Sequence, residues 1–116
     1  MHEYSVALEI INTILPMTLG KRLSAVHFQI GKLSGVLFDS LKFYLEILFK
    51  ERGMENVRIT AEAVPAAYTC ECGHSYTAQS VIEPCPYCHG FNRCLTQGHQ
   101  CTIESIELTD EEIDEN

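Results

Sequence analysis

Thr69–Cys101, TCECGHSYTAQSVIEPCPYCHGFNRCLTQGHQC, contains all six cysteines and three of the five histidines of this 116-residue chain. Cys85-Pro86-Tyr87-Cys88 has two residues between its thiols, a spacing that lets one turn of backbone bring both sulfurs to one cation. Cys70-Glu71-Cys72 offers a second pair, with 12 residues between it and Cys85, close to the separation found in two-pair zinc sites. Gly73 and Gly90 follow the pairs and permit the tight backbone that a knuckle needs. The upstream pair is irregular, with one intervening residue instead of two. Zinc has no geometric preference of its own, so Cys70 can still serve, and His74 is the alternative fourth ligand beside Cys72, Cys85 and Cys88. A closed four-ligand site would be structural and would supply folding energy to a segment too small for its own core.

Cys94 and Cys101 remain, with His89 and His99 nearby. A second metal site from Cys94, His99 and Cys101 matches no common spacing, and spare reduced thiols are the simpler reading. A redox role for Cys85–Cys88 is disfavoured because the motif does not open a helix after a strand.

Working outward, the N-terminal side reads as a small α/β domain. Val6, Ala7, Ile10, Ile11 and Ile14 recur at helical spacing between about Glu3 and Leu15, and Pro16 is expected to end that helix. Leu23–Ile30 alternates, with Val26, Phe28 and Ile30 on one face and Ala25, His27 and Gln29 on the other, as a half-buried strand does. Gly31–Gly35 is a turn. A second helix is expected over about Val36–Arg52, with Leu37, Leu41, Tyr44, Leu45, Leu48 and Phe49 as its apolar stripe and Gly53 as its stop. Val57–Val64 alternates again, placing Val57, Ile59, Ala61 and Ala63 together. Beyond the cysteines, Thr102–Leu108 is a short strand with imperfect alternation. The expected fold class is α/β: two helices packed on a small three-stranded mixed sheet, with an inserted zinc-ribbon-like module. Its strand-helix-strand unit implies parallel pairing through a right-handed crossover. The domains are then 1–66 plus 102–116, and 67–101 for the cysteine module.

Composition narrows the function. The net charge of −8 argues against non-specific nucleic-acid binding, which needs Lys and Arg to neutralise phosphates. Much of that charge lies in Glu104, Glu107, Asp110, Glu111, Glu112, Asp114 and Glu115, read as a solvated terminus. No segment approaches the roughly 20 apolar residues of a membrane span. Without a basic start or cleavage site at the N-terminus, a cytoplasmic location is expected, where clustered thiols bind metal more often than they pair. No nucleophile–base pair or phosphate loop appears, so no catalysis is assigned.

Met1-His2-Glu3 would be unremarkable alone. A free α-amine, the His2 amide nitrogen and the imidazole Nδ1 can nonetheless close adjoining chelate rings, and planar nitrogen donors suit Ni(II) or Cu(II). MHEYSVALEII at the start, VHFQIGKLSGV in the middle and the late two-pair cysteine module together resemble the hydrogenase nickel-incorporation protein family of HypA-type metallochaperones. The resemblance covers essentially the whole chain. It implies a nickel-binding α/β domain and a separate zinc domain. It also implies delivery of nickel to the large-subunit precursor of [NiFe]-hydrogenase, with a nickel-handling GTPase as partner and urease as a second client in some members.

Carried over by position, the nickel-binding residues are Met1, His2 and Glu3: His2 is the principal ligand, the Met1 amine and the backbone at His2 and Glu3 complete or support the site, and the Glu3 side chain orients the imidazole or tunes specificity. The zinc-binding residues are Cys70, Cys72, Cys85 and Cys88, Cys70 matching only with a one-residue shift. Nickel is then cargo and zinc structural. The zinc module is expected to couple to the terminus by moving it or by offering His74 or His89 as a further nickel ligand. The self-association state is open, a weak homodimer being compatible. The rival readings are a zinc-ribbon protein-interaction adaptor with an incidental N-terminal His, and a thiol redox protein using Cys94 and Cys101.

Overall fold

A computed structural model describes residues 3–80 and 82–110. Met1, His2 and the acidic residues from Glu111 onward therefore lie outside the described residues. In chain order the elements are α1 (Glu3–Thr18), β1 (Arg22–Gly31), α2 (Phe38–Glu51), β2 (Arg58–Val64), β3 (Ala66–Cys70), β4 (Ser75–Ala78), β5 (Arg93–Gln97) and β6 (Cys101–Thr109). They form two three-stranded sheets, ordered β2-β1-β6 and β4-β3-β5, in a molecule 66 Å long and 25 by 18 Å across.

The first sheet is mixed. β1 pairs with β2 in parallel, Val26 opposite Ile59 and Ile30 opposite Ala63, and antiparallel with β6. The helices cover one face. Ala7, Ile10, Ile11 and Ile14 of α1 meet Leu41, Leu45, Leu48 and Phe49 of α2 over Leu23, Val26, Phe28, Ile30 and Ile59. Burying each large aliphatic or aromatic side chain there contributes about 1.5–3 kcal/mol, which makes this layer the principal stabiliser of the fold.

Several boundaries differ from expectation, each for a local reason. Pro16 lies inside α1, which runs on to Thr18. A proline removes the bond to the carbonyl four residues back, here that of Asn12, and Asn12 and Pro16 are both exposed, so water can satisfy it. The helix ends instead where Leu19 (φ 50°) and Gly20 (φ 83°) turn left-handed. Leu37 is not part of the α2 stripe. It sits at the N-cap with extended backbone and is 65% exposed. Ala63 is exposed also, at the end of β2.

The second sheet has its own small core of Ala66, Tyr68, Cys70, Tyr76, Ala78 and Cys85, with Leu33 and Leu95 packed against it. Leu33 comes from the turn after β1, so the first unit contributes a side chain to the second. The backbone ties them as well: Gly31 N–H donates to Gln100 O (2.8 Å) and Leu33 N–H to Gly98 O (2.8 Å). A Cβ built on Gly31 would stand 2.2 Å from the Gly98 carbonyl carbon, and one on Gly98 would stand 2.6 Å from Ala66 Cα. Only glycine permits two backbones to approach so closely.

Candidate functional site

The cysteines converge from two tight turns. Cys70 ends β3, and Gly73 N–H donates to its carbonyl at 2.8 Å, closing a β-turn over residues 70–73 in which Gly73 takes φ 99°. Cys70 N–H in turn donates to His74 O at 2.8 Å. The turn curls Cys72 back beside Cys70, so a one-residue spacing suffices. The second turn is built on Cys85: its N–H donates to Gly90 O (3.0 Å) and its carbonyl accepts from His89 N–H (2.8 Å), His89 adopting φ 63°. Tyr87 N–H points at Cys85 Sγ, 3.4 Å away.

All four sulfurs, of Cys70, Cys72, Cys85 and Cys88, lie within 4.8 Å of one another. Cys70 and Cys88 are 3.5 Å apart and Cys72 and Cys85 3.8 Å apart. Zinc–thiolate bonds of about 2.3 Å arranged tetrahedrally require sulfurs roughly 3.8 Å apart, so the donor set fits zinc. Cys70 and Cys85 are buried whereas Cys72 and Cys88 face outward, as a site under one wall of a small core would have them.

The electrostatics are those of four thiols crowded together. Burial pushes the Cys85 thiol up, but N–H groups of Cys88 and Tyr87 outweigh it and lower it to about 7. An N–H bond from Gly90 lowers Cys88, yet its crowding against Cys70, burial and the other sulfurs prevail and raise it to about 12. Cys72 is lowered by the His74 backbone but on balance raised, by burial and its neighbouring sulfurs. Four sulfurs this close cannot all ionise without a positive charge among them.

His74 is not among the four. Its Nδ1 lies 3.5 Å from Cys72 Sγ and its ring stacks on Tyr87, centroids 3.9 Å apart and planes 12° from parallel. That is a supporting position beside a sulfur, the place from which a neighbour orients a ligand. Cys94 lies exposed on β5 and Cys101 half-buried on β6, in different sheets, and their donor atoms and that of His99 do not gather into a group. Burial raises the Cys101 thiol, the opposite of activation.

At the other end, Met1 and His2 lie outside the described residues. Glu3 begins α1, and its Oε2 accepts a hydrogen bond from Leu37 N–H at 3.0 Å. Leu37 has no side-chain cap of its own, so a residue of α1 caps α2. Sequence reasoning missed this contact. An acidic residue in a first turn is visible, but its partner 34 positions away is not.

Comparison with known proteins bears on the whole chain. A family model described as hydrogenase/urease nickel incorporation, metallochaperone, hypA matches residues 1–108. A hydrogenase maturation factor HypA of Dehalococcoides mccartyi (strain ATCC BAA-2266 / KCTC 15142 / 195) is 31% identical over 115 residues, covering 96% of this chain and 97% of that protein. One from Geobacter metallireducens is 28% identical over 109 residues, covering 93% and 99%. The solution structure of the Ni metallochaperone HypA from Helicobacter pylori superposes with a TM-score of 0.71 at 22% identity, covering 96% of this chain and all of that one, which shows a shared fold. With a family match spanning both sheets and the four-cysteine centre, this chain belongs to the HypA family of hydrogenase/urease nickel-incorporation metallochaperones, a family of carriers and not of enzymes.

Proposed function

We propose that the chain carries Ni(II) for the maturation of [NiFe]-hydrogenase, taking the ion at its N-terminus and holding a structural zinc at Cys70, Cys72, Cys85 and Cys88. The observation that carries this reading is the family match from residue 1 to 108, which joins the Met1-His2-Glu3 start to the four-sulfur centre in one chain. The nickel donors are the Met1 amine, the His2 amide nitrogen and the His2 imidazole, a nitrogen set suited to Ni(II). Glu3 contributes through its backbone and by fixing where the terminus leaves the fold, since its carboxylate is engaged with Leu37 N–H.

Donors supplied by a chain terminus can pass an ion to a partner by ligand exchange. The expected partners are a nickel-handling GTPase and the hydrogenase large-subunit precursor, in the cytoplasm; among the described residues no helix is long and apolar enough to cross a membrane. Zinc would be held by the four thiolates and would join the two turns that carry them. The two-sheet division supports a nickel unit of 1–66 plus 102–116 and a zinc unit of 67–101, although Ala66 pairs within the second sheet and Cys101 within the first.

The test is nickel titration of the untagged protein against a version with one glycine added before Met1. The extension displaces the amine and should abolish tight 1:1 nickel binding while leaving zinc in place. Equal nickel affinity in both proteins would overturn the N-terminal site. Nickel should also be released as the pH falls through the imidazole range near roughly 6.5.

A further inference from the structure

The first sheet ends on two edge strands, β2 and β6, which are protected very differently. The pairing of β6 with β1 breaks register twice. One break leaves Glu104 unpaired as a bulge, between Ser105 opposite His27 and Ile103 opposite Phe28. Bulges and like charges such as Glu104 and Glu107 keep an edge from pairing with another chain. β2 has neither device. Arg58–Val64 pairs with β1 without a break, from Ala25 opposite Arg58 to Gly31 opposite Val64, and among the described residues no strand lies on its other edge. We propose that this edge is the interface of a reversible homodimer, in which the β2 strands of two copies pair antiparallel about a two-fold axis at Thr60.

The edge is complementary to itself in that register. With Thr60 opposite Thr60 of the second copy, Arg58 faces the copy's Glu62 and Glu62 faces its Arg58. Threonine pairs and opposite charges are both favourable across antiparallel strands. Arg58 already reaches Glu107 at 3.3 Å, but its guanidinium keeps further donors for Glu62. On the helix-covered side, where Ile59 is buried, Ile59 faces the copy's Ala61 and Val57 faces its Ala63. Ala63 is exposed in the single chain, and the second copy would cover it. An axis at Ala61 would instead set Arg58 opposite Val64 and Glu62 opposite Thr60, leaving both charges without a partner.

Helix α2 is complementary to itself about the same axis. Two clefts of about 310 and 320 Å³ lie between it and β2. Glu46, Phe49 and Lys50 meet Val57 and Ile59 at one, and Val36 and Phe38 meet Ala61 and Ala63 at the other. The start of α2 therefore stands over the end of β2, its end stands over the beginning, and Thr60 falls near the middle of the helix. Lys42 and Asp39 continue the flank of Glu46 and Lys50, being four and three residues apart along it. The flank reads Asp39, Lys42, Glu46, Lys50, with alternating sign. Turned by the two-fold axis, it sets Asp39 against Lys50 and Lys42 against Glu46. The ion pairs among the described residues involve other side chains, so these four charges are available. The cysteine modules, which follow β2, would lie at opposite ends of the dimer. A seam of one short strand and one helix flank is small, so the dimer exchanges with monomer.

The test is equilibrium sedimentation of the full zinc-loaded chain at concentrations up to millimolar. A monomer–dimer equilibrium is expected, weakened by added salt. K42E/K50E makes the flank wholly acidic and D39K/E46K makes it wholly basic, while circular dichroism and zinc content check that each still folds. Either variant alone should dimerise at least about tenfold more weakly, and an equimolar mixture should recover the dimer as the mixed species. E62R sets two arginines against each other and should weaken the dimer, and the exchanged pair R58E/E62R should restore it. A chain that stays monomeric throughout would overturn the proposal, whether β2 then stays bare or takes an extended strand of another protein. A dimer equally strong in K42E/K50E and in E62R would overturn it too, since the copies would then meet elsewhere.

Discussion

The Glu3 carboxylate caps helix α2 through Leu37 N–H, 3.0 Å away, so the first described residue of the chain is bonded to the start of the other helix. An anion at a helix N-terminus satisfies an orphan N–H and faces the positive end of the helix dipole. Glu3→Ala should therefore lower stability by about 0.5–1 kcal/mol in urea unfolding, with Glu3→Gln intermediate. If Glu3→Ala is as stable as the parent, the contact does not hold the helix start.

The glycine pair at the junction is the most sensitive backbone position. Gly98→Ala would place a Cβ on Ala66 backbone and force alanine into φ +95°. Strain and overlap together should cost at least about 2 kcal/mol. Amide shifts should concentrate at Gly31 and Leu33, whose N–H groups donate across the junction. Gly53→Ala, also at positive φ but with nothing near, should cost only the strain. Equal losses for both would show that the close approach of Gly98 to the Ala66 backbone is unimportant.

Zinc affinity should rise steadily with pH. Cys85, at about 7, is largely ionised above neutrality, whereas Cys88, at about 12, and Cys72, also raised, still carry protons in the metal-free protein. Zinc must displace those protons, so acid opposes binding and base favours it. A plot of apparent log affinity against pH should climb between pH 6 and 9 with a slope steeper than one proton per ion. A flat plot would mean that fewer thiolates bind than the geometry brings together.

His74 touches Cys72 Sγ without belonging to the four-sulfur group. His74→Ala should keep one zinc per chain but weaken it by about tenfold, the usual effect of losing an orienting neighbour. Cys70→Ser should instead lose stoichiometric zinc and the fold of the second sheet. If the two variants exchange outcomes, histidine and not Cys70 completes the centre.

The helices, the outer strands of the cysteine module's flanks and the four-cysteine set were legible because each rests on local periodicity or spacing. Ile10, Ile11 and Ile14 reach the core where a helical period puts them, and Val26, Phe28 and Ile30 do so at a strand period. Three strands inside the module, β3, β4 and β5, were not foreseen. They are four or five residues long, too short for alternation to stand out between glycines and cysteines. The imperfect alternation of Thr102–Leu108 was visible, and the bulge at Glu104 is its cause.

By itself, then, the sequence determined which residues could bind metal and which faces had to be buried, since residue chemistry and hydrophobic period are properties of neighbours along the chain. Tertiary structure decided what those residues do to one another. The turn at Gly73 lets Cys70 and Cys72 serve together despite their spacing, and Gly98 lets two backbones meet where the units join. The fold also directs Glu3 to Leu37 and brings Glu62 and Glu104 to His27 from opposite strands. These are contacts across 34 to 77 positions of chain, fixed by sheet register and helix packing, and no local pattern encodes them.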